Sequence, residues 1–464
     1  MKRAAAYILG PALVLLFCTT GSTAQAERTR ESLYSFEGRI TQKGGLPIVS
    51  VGIELLSGSL DVISATETDV DGRYMLLDVA LPEVHHVLRF AKQGYLTVER
   101  EVDIKPGPAS ENFKFDVELV SAPPQAGTER GLKPQVPLAQ VKVFYATDRR
   151  LDKSAPAPTY LAEFSESGLA FGSCDVSIPP HHRAGNIEAP SFWQFEFSPD
   201  PEQHIVVRRI VPAEKKQFFI DLSQAISNGK QQAAFVFVHG YKVTFEDAIT
   251  RTAQLAYDMR FDGVPIAYSW PSKGSLLGYS DDERQIEGTK HDLEVFLKDL
   301  QAQSGAKQIY LIAHSMGNRA LLAALSQLAS ETQGRALQTF KQVVFAAPDV
   351  AQSDFKQQTA QIARWSPHLT LYASTHDQAL LLSRRLHSGQ ARAGDAEPAP
   401  IVVPGLDTID VSAVSTEFLG HTYYGDCKSV VTDIIEVFRN QLVPRGLKPA
   451  MSTAGAYWVM APRP

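Results

Sequence analysis

The chain has 464 residues, 44% hydrophobic and 21% charged. That is too long for one ordinary domain and rich enough in apolar residues to exclude wholesale disorder. A formal net charge of −6, with no long run of Lys or Arg, excludes a basic nucleic-acid-binding arm.

The chain starts with Lys2 and Arg3, followed by a mostly apolar run from Ala4 to Cys18 and then small and polar residues ending in Ala24-Gln25-Ala26. This is the order of a secretory signal cleaved after Ala26, which places the remainder in the periplasm or outside the cell. The alternative is a membrane anchor, but the run is short for a hydrocarbon layer of ~30 Å, and Pro11 interrupts it. A lipoprotein signal would use Cys18, yet bulky Phe17 precedes it where lipoprotein signals resemble one another in carrying a small residue. Of the three cysteines, Cys174 and Cys427 remain after cleavage. An oxidising compartment would let them pair, and two buried free thiols are the other reading.

Residues 33–120 read as short strands. Phe36–Ile40, Val51–Leu55, Arg73–Leu77 and Val87–Phe90 alternate apolar with polar or small residues, and turn signals stand at Gly44-Gly45, Asp71-Gly72 and Gly94. A small all-β sandwich is expected. Thr68-Asp69-Val70-Asp71-Gly72-Arg73-Tyr74, with Gly94-Tyr95 later, resembles carboxypeptidase regulatory-like domains, which are small β-sandwich modules. A cell-envelope component is the candidate ligand of this domain. Asp69-Val70-Asp71-Gly72 also begins like a calcium loop, but the remaining ligands are missing, so a hairpin turn with Gly72 at positive φ is expected. His85-His86 and His181-His182 lack partners at zinc-ligand spacing and read as surface histidines. No metal and no cofactor are expected.

A Pro- and Gly-rich linker follows at 121–138, and 446–464 reads as a tail. Between them, at 139–445, apolar runs alternate with amphipathic helices. Ala233–Val238, Ile266–Trp270, Ile309–Ala313, Gln342–Ala347 and Leu369–Ser374 are strands, and Glu246–Met259 and Arg319–Leu328 are helical. Leu293, Phe296, Leu297 and Leu300 form a core-facing helical stripe, as do Val431, Ile434, Ile435 and Phe438. Continuously apolar strands alternating with helices imply a doubly wound, mostly parallel α/β sheet.

The sharpest chemical signal is Ala313-His314-Ser315-Met316-Gly317, between a strand and a helix. A nucleophile elbow needs that context, with small residues two before and two after the serine. Ala313 stands where Gly is usual. A helix-capping serine is the other reading of Ser315. Phe237-Val238-His239-Gly240-Tyr241 ends an earlier strand and suits an oxyanion-hole loop, with the backbone N–H groups of Met316 and Tyr241 as donors. His239 reads as a packing residue. The triad should follow in the order Ser, acid, His. Asp377 follows the second strand past the nucleophile and is the expected acid, with Asp349, after the first, as the alternative. His421, before the last helix, is the expected base, ahead of His387 and His376.

Val143–Arg149, Phe237–Tyr241, Ser269-Trp270-Pro271-Ser272, His314–Arg319, Ala347-Pro348-Asp349 and Gly420-His421 together resemble a bacterial α/β-hydrolase family of unknown function over about residues 139–443. The resemblance implies the α/β-hydrolase fold and a serine triad and does not fix a substrate; a small-molecule or lipid-like acyl substrate is the expected partner. The alternative is a non-catalytic envelope protein with a hydrolase-like domain. Ser353-Asp354-Phe355-Lys356 fits the S-x-x-K string of β-lactamases, but its companion motifs are absent.

Overall fold

The computed structural model describes residues 33–48, 51–57, 62–69, 71–80, 85–92, 95–104, 111–121, 138–153, 158–182, 200–274, 278–365, 368–414, 428–439 and 443–461. The expected signal at 1–26, nearly all of the expected linker, His421 and Cys427 lie outside them.

The alternating N-terminal segments form β1 (Leu33–Gln42), β2 (Gly52–Ser57), β3 (Val62–Glu67), β4 (Arg73–Ala80), β5 (His85–Ala91), β6 (Val98–Asp103), β7 (Glu111–Lys114) and β8 (Val117–Leu119). One sheet runs β4-β1-β7, with β8 also on β1, and a second runs β3-β2-β5-β6. Phe36, Ile40, Tyr74 and Leu76 of the first share a buried core with Ile53, Leu55, Leu88 and Phe90 of the second. Each large apolar side chain so buried contributes roughly 1.5–3 kcal/mol. Gly72 has φ +73°, and Asp69 Oδ1 accepts from the N–H groups of Asp71 and Arg73 at 2.9 and 2.8 Å. The turn is therefore held by a side chain, as Asp favours. It is not a hairpin: β3 pairs with β2 and β4 with β1, so the chain crosses between sheets there. The histidine pairs are also not simply surface residues. His86 is buried on β5, and the His182 side chain is buried with its Nε2 2.6 Å from Asp258.

The larger unit contains β9 (Ala139–Thr147), β10 (Arg149–Leu151), β11 (Tyr160–Phe164), β12 (Ala170–Ile178), β13 (Val206–Ala213), α1 (Lys215–Asn228), β14 (Ala233–Val238), α2 (Phe245–Asp258), β15 (Val264–Ser269), α3 (Tyr279–Gln303), β16 (Gln308–His314), α4 (Gly317–Thr332), β17 (Phe340–Ala346), α5 (Gln352–Ile362), β18 (Leu369–Ala373), α6 (Gln378–Leu386), β19 (Leu406–Asp410), α7 (Lys428–Phe438), β20 (Lys448–Ser452) and β21 (Gly455–Val459). Eleven strands make one sheet in the order β13-β12-β9-β15-β14-β16-β17-β18-β19-β21-β20. From β9 to β21 every neighbouring pair is parallel, and β12, β13 and β20 add antiparallel edges.

Period-two burial covers both faces. Along β14, Ala234, Val236 and Val238 join the core under α1, α3, α4 and α5, while Phe235 and Phe237 join the core under α2 and α7. That is why these strands read as unbroken apolar runs. The segment expected as a tail instead forms the β20–β21 hairpin, which extends the sheet through Ile409↔Trp458 and Asp410↔Val459. Pro449 suits an edge strand, which needs no N–H on its outer side. Arg445, just before the hairpin, donates from Nε and Nη2 to the two oxygens of buried Asp433 on α7 at 3.0 and 3.1 Å. Among the described residues, no helix is long and apolar enough to cross a membrane.

Candidate active site

The strands β14 to β19 point their C-terminal ends to one edge of the sheet, and their loops converge there. The winding reverses between β14 and β16, and ligands of open α/β sheets bind at such a switch point. Ser315 sits there, between β16 and α4. Its φ is +48°, a left-handed conformation that a non-glycine residue adopts only under restraint. The restraint is backbone hydrogen bonding: Ser315 N–H donates to Ala346 O at 3.0 Å, and Ser315 O accepts from Asp349 N–H at 3.1 Å and Asn318 Nδ2 at 2.9 Å.

The small residues flanking the serine serve close approach. A Cβ on Gly317 would lie 2.3 Å from His239 O, so the first turn of α4 lies directly against the end of β14. A Cβ on Gly240 would lie 2.9 Å from Ser315 Cβ and from His314 Nδ1. The loop after β14 is thus in contact with the nucleophile candidate, and the next residue along it is Tyr241. Among the described residues, no acceptor takes up the backbone N–H of Tyr241 or of Met316.

His239 behaves as a packing residue. Its ring stacks on Trp270 with centroids 5.0 Å apart, its Nδ1 lies 2.7 Å from Gly240 O, and Trp270 Nε1 donates to His239 O at 2.8 Å. Burial, then the Arg149 charge, hold it well below the ordinary histidine range, so it stays neutral.

The two candidate acids differ. Asp349 is buried, and both of its oxygens are engaged. Oδ2 accepts from Tyr279 Oη at 2.5 Å and Arg319 Nη2 at 3.2 Å, and Oδ1 accepts from Ser383 Oγ at 2.5 Å with Arg392 Nε 3.3 Å away. Three donors thus bond the carboxylate, and Arg392 adds an ion pair. Asp377 is partly exposed at the N-terminus of α6, where Oδ1 accepts from Leu380 N–H at 3.0 Å. Burial, then the charges of Asp377, Asp282 and Asp349 in that order, push the Tyr241 phenol up.

Among the histidines, His387 is committed: its Nδ1 lies 2.7 Å from Ser383 O and its Nε2 2.7 Å from Glu283 Oε1. His376 is exposed, with Nδ1 3.2 Å from Thr375 Oγ1. The segment between Val414 and Lys428 that carries His421 is outside the described residues. It connects β19 to α7, and β19 runs parallel to β16 through β18. Cys174 is a free thiol buried in the sheet. Among the described residues, no three His, Cys, Asp or Glu side chains converge as metal ligands would.

Sequence reasoning missed a buried polar cluster behind the oxyanion loop. Asp282, in the first turn of α3, accepts from Ser272 Oγ at 2.6 Å, Lys273 N–H at 2.7 Å and Lys242 N–H at 3.1 Å. Burial raises its pKa, and those bonds and Arg149 oppose the rise. Arg149, fully buried and pulled down to about 10 by desolvation, donates to Ser269 Oγ, Ser272 O and Val243 O at 2.9, 3.1 and 2.7 Å. The strings around Arg149 and Ser272 were visible in the sequence. Asp282, inside an acidic helix start, carried no signal of its own.

With this geometry in place, residues 214–439 match the family described as alpha/beta hydrolase of unknown function (DUF900). The domain that contains residues 214–439 has the alpha/beta-hydrolase fold. The elbow, the oxyanion-loop candidate and both candidate acids of this hydrolase domain fall inside the match. Among solved structures, the chain is similar to one described as a predicted CIB-like hydrolase from Thermoplasma acidophilum, at 14% identity and a TM-score of 0.28, over 46% of this chain and 88% of that one. It is also similar to 3-chlorocatechol 1,2-dioxygenase from Rhodococcus opacus 1CP, at 15% identity and a TM-score of 0.16, over 20% of this chain and 62% of that one. A third is catechol 1,2-dioxygenase from Acinetobacter radioresistens, at 14% identity and a TM-score of 0.16, over 23% and 58%. The chain thus spans less than two thirds of these dioxygenases. No curated protein matches it.

Proposed function

We propose that the hydrolase domain is a serine hydrolase that cleaves an acyl ester or a related acyl bond of a small-molecule or lipid-like substrate. The observation that carries this reading is Ser315 held at φ +48° between a parallel strand and a helix, with Gly240 packed against it. Ser315 Oγ attacks the acyl carbonyl while His421 takes its proton, and the carbonyl oxygen becomes an oxyanion that accepts from the N–H groups of Met316 and Tyr241. The carbon–oxygen bond to the leaving alcohol then breaks, and the alcohol takes the proton from His421. Water repeats the sequence on the acyl-enzyme and releases the acid. Asp377 orients the imidazole. Asp349 is set aside because its carboxylate already accepts from Tyr279, Arg319 and Ser383 and is ion-paired with Arg392.

The remaining parts of the reading rest on the sequence. Export to the periplasm or beyond follows from the charged start, the apolar run and Ala24-Gln25-Ala26, and N-terminal sequencing of envelope protein should begin at Glu27. The N-terminal strands would act as a carboxypeptidase regulatory-like module for an envelope ligand. The deciding experiment is labelling of the purified protein with a fluorophosphonate probe. Ser315 should carry the adduct, and an unlabelled wild-type protein would overturn the serine-hydrolase reading.

A further inference from the structure

We infer that Asp282, Ser272 and Arg149 form a positioning clamp for the oxyanion hole, gripping the backbone immediately beyond Tyr241. The inference rests on the serine-hydrolase reading above and assigns a role that neither the fold nor the triad requires.

The backbone around Tyr241 is bracketed from two sides. On one side, Gly240 is in contact with Ser315, close enough that a single added carbon would collide. On the other, Lys242 adopts φ +59°, a left-handed conformation that disfavours any residue with a Cβ. That conformation needs outside support, and Asp282 Oδ2 supplies it by accepting the Lys242 N–H. The neighbouring peptide is held as well. Val243 N–H donates to Ser272 Oγ at 3.0 Å, whose own proton goes to the same Asp282 oxygen, and Val243 O accepts from Arg149 Nη2. Three separate elements meet on two residues: the start of β10, the loop after β15 and the first turn of α3.

A stability argument does not account for this cluster. A carboxylate and a guanidinium have both been taken from water, and such buried charges add little net stability over apolar packing of the same shape. What charged, multiply bonded groups do supply is a fixed backbone position. Here that position sets the direction of the Tyr241 N–H, and an oxyanion donor is useful only when aimed at where the charge develops. The three residues do not touch the reacting atoms and are positioning residues.

The test uses the full-length protein, p-nitrophenyl butyrate as substrate, phenylboronic acid as a tetrahedral-adduct mimic, and fluorophosphonate titration to count active sites. In Asp282→Asn and Ser272→Ala, kcat per titrated site should fall about 10- to 100-fold with KM within about twofold. Phenylboronic acid affinity should fall in parallel with kcat. A merely structural role would lower the titrated fraction and leave per-site kcat and boronate affinity unchanged, and that result in Ser272→Ala overturns the inference. Ser272→Ala removes one hydroxyl and decides the question if Asp282→Asn does not fold. Ser315→Ala separates the two levels: if it retains ester turnover, the serine-hydrolase reading has failed, whereas loss in Ser315→Ala with intact per-site kcat in Ser272→Ala sinks the clamp alone.

Discussion

Asp349 and Asp377 stand at equivalent places in the chain, each a few residues past the end of a parallel strand at the same edge of the sheet, β17 for one and β18 for the other. Their surroundings differ. Asp349 is buried among a tyrosine, a serine and two arginines that together satisfy its carboxylate. Arg319, bonded to it, also reaches Glu283 at 2.6 Å, so Asp349 ties α4, α3, α6 and the loop before α5 into one network. Asp377 is partly exposed at a helix start, where its side chain caps α6. Equivalent places along the chain thus give these two carboxylates different burial and different partners.

The largest effects should come from the residues both candidate acids would serve. Ser315→Ala and His421→Ala should each lower turnover of a responsive ester by roughly 10⁴-fold or more, and the double variant should be little worse, because a nucleophile and its base act as one unit. Steady-state kinetics on the three proteins checks this, and full activity in Ser315→Ala would remove the basis for comparing the acids at all.

The acids themselves should then separate by the kind of loss. Asp377→Asn should cut kcat by about 10²-fold or more while leaving stability nearly unchanged, since Asn caps a helix about as well as Asp. Asp349→Asn should instead destabilise by about 3 kcal/mol, because it leaves Arg319 and Arg392 buried beside a neutral group. Its kcat per titrated site should fall less than that of Asp377→Asn. Urea melts alongside site-titrated kinetics read both quantities, and the opposite pattern would move the acid to Asp349.

A smaller effect concerns packing at the elbow. Gly317→Ala places a carbon 2.3 Å from His239 O, a backbone atom with little room to yield. A stability loss of roughly 1–3 kcal/mol is expected from denaturant melts, and a loss near zero would mean the contact between α4 and β14 is looser than described.

The effect most sensitive to pH belongs to another buried carboxylate, Asp148. Burial first, then the Asp292 charge, push it up from 3.8 to about 8, against a hydrogen bond from Tyr268 Oη at 3.4 Å. Because the folded state holds this proton more tightly than the unfolded chain, the contribution of Asp148 to stability is greatest below 3.8 and declines as pH rises to about 8. Asp148→Asn should flatten that decline, with an advantage over wild type that grows by at most ~1.4 kcal/mol per pH unit across the window. Melts near pH 5 and near pH 8.5 would show it, and equal slopes in both proteins would contradict the assignment.

The sequence by itself determined what depends on short-range pattern. Period-two and 3.6-residue periodicity located β14, β16, α4 and the other core elements to within a few residues. A serine between a strand and a helix, with a small residue on either side, marked the elbow before any fold was known. These features arise from backbone geometry and burial of near neighbours, so they leave a local trace. The tertiary structure alone decided the rest. Asp282 reaches Lys242 from 40 residues away, Arg149 reaches Val243 from 94, and Tyr279 reaches Ser383 from 104. The hairpin at 448–459 was hidden for a related reason: two five-residue strands, one holding a proline, show too little alternation to be read alone, and they become strands by docking on β19. A hydrogen bond between residues distant in the chain needs only a donor, an acceptor and a fold that brings them within 3 Å, and none of these imposes a periodicity on the residues in between.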